Sequence, residues 1–268
     1  MHEHAFFNCG SQHISELKLP AISSSSLFGK GIFTALAIHD GVPFLWEKHW
    51  RRLEENAAVV GIALAEFSDD RTRTALDELI VANSVQNGRA RITFFDGSAS
   101  GLWPYASECQ TSLLVMTADF RATSKDLSLT VSPYRINSAS PLTGVKSCNY
   151  LEKIMAMDEA KRRGADEAIQ LNERGEIASA CMANLFWLKG TELFTSSLKT
   201  GCLAGTTRGF TLENLECEEV EAGIEELRTA DEIFLTSAGM GIIQVAEFDG
   251  RRLNRGPHLI TNLLPRLR

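Results

Sequence analysis

Apolar and polar positions along this chain fall into short blocks that switch between two periods. Residues 31–41, GIFTALAIHDG, form a strand-like apolar run that closes on Asp40-Gly41, a hairpin-turn pair, and VPFLW resumes beyond it. Residues 46–60, WEKHWRRLEENAAVV, change to the helical period. Trp46, Trp50, Leu53, Ala57 and Val60 share one face, and Lys48, Arg51, Glu54 and Glu55 share the other. Gly61 is a suitable stop. A second helix is expected over 69–83 around Leu76, Leu79 and Ile80, and strands over 90–95 and 112–118, joined by the loop DGSASGLWPYASE.

The polar stretch 119–126, DFRATSKD, interrupts this pattern and is the expected boundary between domains 1–118 and 127–268. A strand is expected over 127–134. SPLTGVKSCNY (140–150) is turn-forming, and the helical run beginning at Leu151 stops at Gly164. DEAIQLN and EIASA read as a hairpin about Glu173-Arg174-Gly175, and ANLFWLKG and ELFTSS as another. TGCLAGTTRG (200–209) is a glycine-punctuated loop, ADEIFLTSAGMG (230–241) a buried strand running into a small-residue loop, and HLITNLLPRL a final helix weakened by Pro265. Strands and helices alternate, so the expected class is α/β.

Composition narrows the function. A chain of 268 residues with 44% hydrophobic and 23% charged residues is a globular protein with a sizeable core. The net charge of −7 argues against nucleic acid or an anionic membrane as the main partner, but not against a small anionic substrate. No basic-then-apolar leader is apparent at the N-terminus, and no run approaches the ~18 apolar residues that span a bilayer. The six cysteines are scattered without a C-x-x-C, as expected of thiols in a reducing cytoplasm, and neither they nor the six histidines cluster as metal ligands.

The chemistry-bearing candidate is Lys146, on the loop that feeds the helix at Leu151. A lysine held among small and apolar residues can lose its proton, because desolvation disfavours the ammonium, and the neutral amine attacks carbonyls. Taken alone, it reads far more readily as a solvated loop lysine, since lysine is mostly exposed. Two small-residue loops, 203–208 and 236–239, offer backbone N–H groups with hydroxyls beside them, which suit a phosphate, although ordinary turns have the same composition. Arg52, on the helix 46–60, could add charge to such a site.

Six segments in order then carry a resemblance. GKGIFTA (29–35) is similar to G-D-G-x-F-E-T, KHWRRL (48–53) to H-x-x-R-L, and VKSCNYL surrounds Lys146. ADEAIQLNERGEIASACMANLFWLKG, LAGTTR and FLTSAGMGI complete the set. The chain resembles the class IV aminotransferases, the fold-type-IV pyridoxal-phosphate enzymes, from about Leu27 to its end. This implies a two-domain α/β architecture of mixed sheets with the cofactor site between the domains, and a homodimer. It implies Lys146 as Schiff-base lysine and general acid/base, Arg52 as phosphate arginine, Leu203 against the ring, and Thr206, Thr207, Ser237 and Ala238 around the phosphate, with Asn184 a cofactor-site residue.

Three positions depart from the pattern. Ser179 stands where the family places the glutamate that protonates the ring nitrogen, and Glu176, at an odd offset along the strand, points the other way. Thr34 stands where aminotransferases carry Glu, as in some aminodeoxychorismate lyases, and is expected to be catalytic. Asp96-Gly97 replaces a frequent R-G, removing a substrate-carboxylate contact and placing acid near the site mouth. The resemblance therefore implies a lyase that splits 4-amino-4-deoxychorismate into 4-aminobenzoate and pyruvate. The alternatives are a branched-chain or D-amino-acid aminotransferase, or a catalytically altered cofactor-binding relative. Arg89 and Arg91 could receive an anionic substrate or be solvated strand ends.

Overall fold

The computed structural model describes residues 1–99, 102, 109–120 and 126–263. Most of the expected linker, most of the 96–108 loop and the end of the expected C-terminal helix lie outside the described residues. Contacts divide the chain into two compact units: Met1–Phe120 with Val145–Asn149, and Arg121–Gly144 with Tyr150–Arg268. The segment holding Lys146 thus packs with the first unit, although it follows the boundary expected from sequence.

The first unit is one antiparallel sheet covered by helices. Its elements are β1 (His4–Phe7), β2 (Gly10–His13), α1 (Ser24–Phe28), β3 (Gly31–His39), β4 (Val42–Pro43), α2 (Trp46–Val60), α3 (Asp69–Ala82), β5 (Gly88–Asp96) and β6 (Thr111–Asp119). The strand order is β2-β1-β6-β5-β3-β4. β3 turns into β4 through Asp40 and Gly41, both at positive φ, as the Asp-Gly pair requires. Successive side chains of a strand point to opposite faces. Ile32, Leu36 and Ile38 face a core shared with Trp46, Trp50 and Leu53 of α2 and Leu76 and Leu79 of α3. Fully burying each such side chain contributes about 1.5–3 kcal/mol, so the period-two and period-3.6 stripes must meet. The β1–β2 hairpin was not anticipated: HAFF and GSQH are too short and too polar to announce a strand.

The segment around Lys146 is tied to β3. Phe33 N–H donates to the Lys146 carbonyl at 2.9 Å, and Cys148 N–H donates to the Gly31 carbonyl at 2.8 Å. Beside them Asn149 Nδ2 donates to the Gly29 carbonyl at 3.2 Å. Gly29 has φ 68°, and a Cβ there would lie 2.3 Å from Asn149 Oδ1, so only glycine fits.

The second unit holds two five-stranded sheets. Its strands are β7 (Ser128–Val131), β8 (Glu167–Leu171), β9 (Ile177–Ala180), β10 (Asn184–Lys189), β11 (Glu192–Ser196), β12 (Glu218–Val220), β13 (Glu232–Ser237), β14 (Gly241–Gln244), β15 (Glu247–Phe248) and β16 (Arg251–Arg252). The helices are α4 (Leu151–Arg162), α5 (Thr206–Asn214) and α6 (Glu225–Arg228). The orders are β12-β11-β10-β13-β14 and β16-β15-β7-β8-β9. β7 runs parallel to β8 and to β15, and β11 parallel to β12, so both sheets are mixed. β8 and β9 are buried along their whole length and read as continuous runs rather than alternations. The 200–209 stretch is not all loop, because α5 starts inside it at Thr206. Among the described residues of the expected C-terminal helix, a 3-10 turn forms at Thr261–Leu263. Among the described residues no helix is long and apolar enough to cross a membrane.

Asp96 is corrected by the structure. It is 1% exposed, accepts from Lys30 Nζ at 3.0 Å, and takes the Ser98 N–H at 3.0 Å and hydroxyl at 2.6 Å. It holds the end of β5 and does not load acid onto a site mouth. Burial by itself would raise its carboxyl, but hydrogen bonds from Ser98 and Lys30 outweigh this and keep it below the usual carboxylate range. Relative to the G-D-G and R-G pattern, the charges at positions 30 and 96 are exchanged, and their opposition is kept. Breaking the pair strands a buried carboxylate, so Lys30→Ala should cost about 2 kcal/mol in denaturant unfolding, and the exchange Lys30→Asp/Asp96→Lys should recover most of the loss of either charge reversal. Because the folded carboxyl is depressed, this stabilisation is present above the ordinary carboxylate range and should fade as pH falls through the folded value.

Candidate functional site

In the first unit the polar candidates divide between the two faces of β3. Thr34 lies on the helix-covered face and is fully buried. Its hydroxyl accepts from Arg52 Nη2 at 2.8 Å and lies 2.6 Å from His49 Nδ1. Arg52 and His49, both on the buried side of α2, are 7% and 1% exposed. Burial, followed by the charges of Arg52 and Lys146, holds His49 well below its ordinary value, so it is a neutral imidazole able to accept the Thr34 proton. The Thr34 hydroxyl is therefore engaged in aligning Arg52.

The other face of β3 carries Phe33 and Ala35, and the register sets Ala35 opposite Arg91 and Phe33 opposite Thr93. The Arg91 guanidinium lies over the Phe33 ring at 3.7 Å from its centroid, and Lys146 Nζ lies 4.6 Å from the same centroid. Arg91 Nε also donates to Thr93 Oγ1 at 3.2 Å. One aromatic ring thus carries a guanidinium and the half-buried Lys146 amine. Burial raises the nearby Cys148 thiol, with Arg91 opposing. Arg91 is no solvated strand end.

In the second unit β10 and β13 pair antiparallel with Asn184 opposite Thr236. Asn184 Nδ2 donates to the Leu203 carbonyl at 2.8 Å, pinning the turn before α5. A Cβ on Gly205 would lie 2.1 Å from Asn184 Oδ1, so the turn depends on glycine there. α5 starts after Gly205 with no side-chain cap, and Thr206 and Thr207, both buried, form its first turn. A helix N-terminus without a cap leaves N–H groups and the positive end of the dipole for an anion. Thr236 Oγ1 is buried and has no partner among the described residues, and Ser237 and Ala238 follow it at the end of β13. Ser179 stands on the other sheet, on β9, opposite Gln170. Its hydroxyl makes no hydrogen bond among the described residues. Glu176 is taken up by Arg174 and Asn172 and does not stand in for a carboxylate at 179.

Within the second unit, an orphaned buried hydroxyl, a tight glycine turn and a helix start without a side-chain cap suit a phosphate, and within the first unit an amine lies on an aromatic ring near a buried arginine's helix, so the residues of each unit fit part of a phosphorylated carbonyl cofactor. Comparison with known proteins agrees. Residues 31–248 match the model of the family described as amino-transferase class IV. Aminodeoxychorismate lyase of Bacillus subtilis is 30% identical over 234 residues, which are 83% of this chain and 79% of that protein. A putative branched-chain-amino-acid aminotransferase of Methanocaldococcus jannaschii is 28% identical over 247 residues, 89% of this chain and 85% of the relative. In fold, the branched-chain aminotransferase of Thermoproteus uzoniensis superposes with a TM-score of 0.92, at 24% identity, over 100% of this chain and 94% of that one. The chain belongs to the class IV aminotransferase family. It is a pyridoxal-phosphate-dependent enzyme with the fold-type-IV architecture.

Sequence reasoning passed over His49 as merely structural and left Arg91 undecided. It did not mark Gln170 or Lys153 at all. The available signal was Gln170 itself, the polar residue inside the buried run AIQL. Removing the hydroxyl that aligns Arg52, by Thr34→Val, should weaken cofactor retention about tenfold, the worth of a hydrogen bond to a charged group, measured by equilibrium titration of the cofactor-free protein. His49 has a folded value below its unfolded one, so its contribution to stability is present above about pH 6.5 and is lost as pH falls toward the folded value. The variant His49→Gln should flatten the pH dependence of the unfolding free energy across that window.

Proposed function

We propose that this enzyme is a lyase that converts 4-amino-4-deoxychorismate to 4-aminobenzoate and pyruvate. The observation that carries the reading is the Arg91 guanidinium and the Lys146 amine on the same Phe33 ring. A substrate with two carboxylates and an amine meets there a guanidinium for one carboxylate next to the amine that moves its proton. The relative that is 30% identical carries the same activity in its name.

When bound, pyridoxal phosphate supplies an aldehyde that combines with amines and a ring that draws electrons from the carbon next to the nitrogen. In this reading Lys146 holds the cofactor through Nζ. Arg52, aligned by Thr34 and His49, neutralises the phosphate, which the N–H groups of Thr206 and Thr207 and the hydroxyl side of Ser237 and Ala238 also bind. Leu203 covers one ring face, in a turn fixed by Asn184, and Ser179 meets the ring nitrogen. The freed Lys146 amine takes the proton from the carbon that bears the substrate nitrogen. The C–O bond to the pyruvyl group breaks, the carbocycle becomes aromatic, and the departing enol gains a proton to give pyruvate, so atoms and charge balance without a second substrate.

An aminotransferase is the second reading, favoured by the 28% identical relative named as one. The reading as a relative that merely binds cofactor loses one of its two supports, because Asp96 is accounted for by Lys30. We also propose a homodimer in the cytoplasm. Leu151, Ile154 and Met155 of α4 are 68%, 45% and 47% exposed and offer an apolar face to a second copy.

The deciding assay supplies 4-amino-4-deoxychorismate without any keto acid. Stoichiometric pyruvate and 4-aminobenzoate are expected, with Arg91→Ala raising KM by about tenfold or more. Amino transfer to 2-oxoglutarate with no pyruvate from aminodeoxychorismate would overturn the lyase reading in favour of the aminotransferase.

A further inference from the structure

β8 carries two buried polar residues, Glu167 and Gln170, on opposite faces. Gln170 is 3% exposed and directly opposite Ser179, which is 4% exposed, across an antiparallel pair. Residues directly opposed in such a pair point to the same face, with Cβ atoms about 5 Å apart. The register shifts just beyond this pair, at Gln170 and Leu171. From α4, Lys153 Nζ reaches Gln170 Oε1 at 3.3 Å. An ammonium has three donors and no acceptor, so the amide oxygen is the atom turned toward Lys153. The amide NH2 is then turned away from it. Neither that nitrogen nor the Ser179 hydroxyl has a hydrogen-bond partner among the described residues.

Two donors therefore stand side by side on one sheet face, backed by a cation. Glu167 is three residues from Gln170, an odd offset that sends it to the opposite face. Its Oε1 accepts from the Ala168 and Cys181 N–H groups. The other titratable groups around Lys153 are Glu152 on its own helix and the thiols of Cys181 and Cys202. Burial pushes the Cys181 thiol up to about 12 and also raises Cys202, so neither supplies an anion at neutral pH. Burial lowers Lys153 itself, and the acidic neighbours oppose this.

We propose that Lys153 is a positioning residue that acts through Gln170, setting the amide N–H beside the Ser179 hydroxyl as a donor pair that holds the cofactor's ring nitrogen unprotonated. This rests on the reading that Ser179 faces that nitrogen. A glutamate at 179 would accept a proton-bearing nitrogen. A hydroxyl and an amide N–H, with positive charge behind them, instead favour a nitrogen that accepts. Loss of Ser179's carboxylate counterpart is then one part of a rebuilt three-residue station.

The test follows the ring nitrogen directly. The holoenzyme is reconstituted with pyridoxal phosphate that carries a nitrogen label in the ring, and its NMR shift is recorded from about pH 6 to about pH 9, the range over which enzyme and cofactor groups titrate. The wild type should show an unprotonated nitrogen throughout. Lys153→Met and Gln170→Glu should each move the nitrogen toward its protonated shift, raising its midpoint by roughly one unit or more, as expected for loss or reversal of a charge at this distance. Lys153→Arg should restore the wild-type signal. A protonated nitrogen in the wild type, or a signal that neither Lys153→Met nor Gln170→Glu moves, overturns the proposal. Ser179→Glu separates the two levels. If it shifts the signal while the other variants do not, only the role of Lys153 and Gln170 fails. If it too leaves the signal unchanged, Ser179 does not face the ring nitrogen and the underlying reading fails with it.

Discussion

The position of Lys146 is set by backbone hydrogen bonds to β3, and most of the first unit's chemistry depends on them. Phe33 N–H and Cys148 N–H clamp the segment in register with Gly31 and Phe33. That register puts the lysine amine on the Phe33 face, where Arg91 also lies. A slip of one residue would send every side chain of the segment to the other face, toward the apolar core of Ile32 and Leu36. Each backbone bond contributes only about 1 kcal/mol net. Their worth is geometric: a flexible four-carbon side chain is anchored at a root that does not move. Gly29, with Asn149 Oδ1 where a Cβ would stand, extends the same attachment at its far end.

β3 then serves two purposes because its side chains alternate. One face is core, with Thr34 as a single hydroxyl in an otherwise apolar stripe, meeting Arg52 and His49 from α2. A buried guanidinium costs several kcal/mol unless its donors are engaged. Thr34, itself hydrogen-bonded to the neutral His49, engages Arg52 Nη2 without adding negative charge. A glutamate at position 34 would pair with Arg52 and neutralise it. The hydroxyl thus aligns the arginine without a charge of its own, a distinction that cannot be read from the residue type alone.

How far the sequence revealed this depends on how local each signal is. The α2 stripe, the Asp40-Gly41 turn, the hairpin at Glu173-Arg174-Gly175 and the ordered motifs around Lys146, Arg52 and Asn184 are short-range patterns, and they were legible. The start of α5 was not, because Gly205-Thr206-Thr207 reads as turn composition and no capping side chain marks the boundary. The Lys30–Asp96 pair joins residues 66 apart, and Asp96 looked like a defect in a motif until Lys30 stood next to it. Lys153 and Gln170 were hidden for the same reason. A lysine in a helix and a glutamine in a strand are unremarkable singly, and only the fold shows that the first fixes the orientation of the second.

Charge explains why those non-local pairs matter. The chain carries a net charge of −7, yet the Phe33 ring bears Arg91 and Lys146, the buried Thr34 bears Arg52 and an uncharged histidine, and opposite Ser179 stands an amide turned by a lysine. Several acids among the described residues are committed to local partners: Asp96 to Lys30 and Ser98, Glu176 to Arg174, and Glu167 to backbone N–H groups. Global charge therefore says little about the local field, which is set by where carboxylates are already bonded. Within the second unit, an amide and a hydroxyl backed by a lysine form a local field that favours an acceptor over a proton-bearing partner.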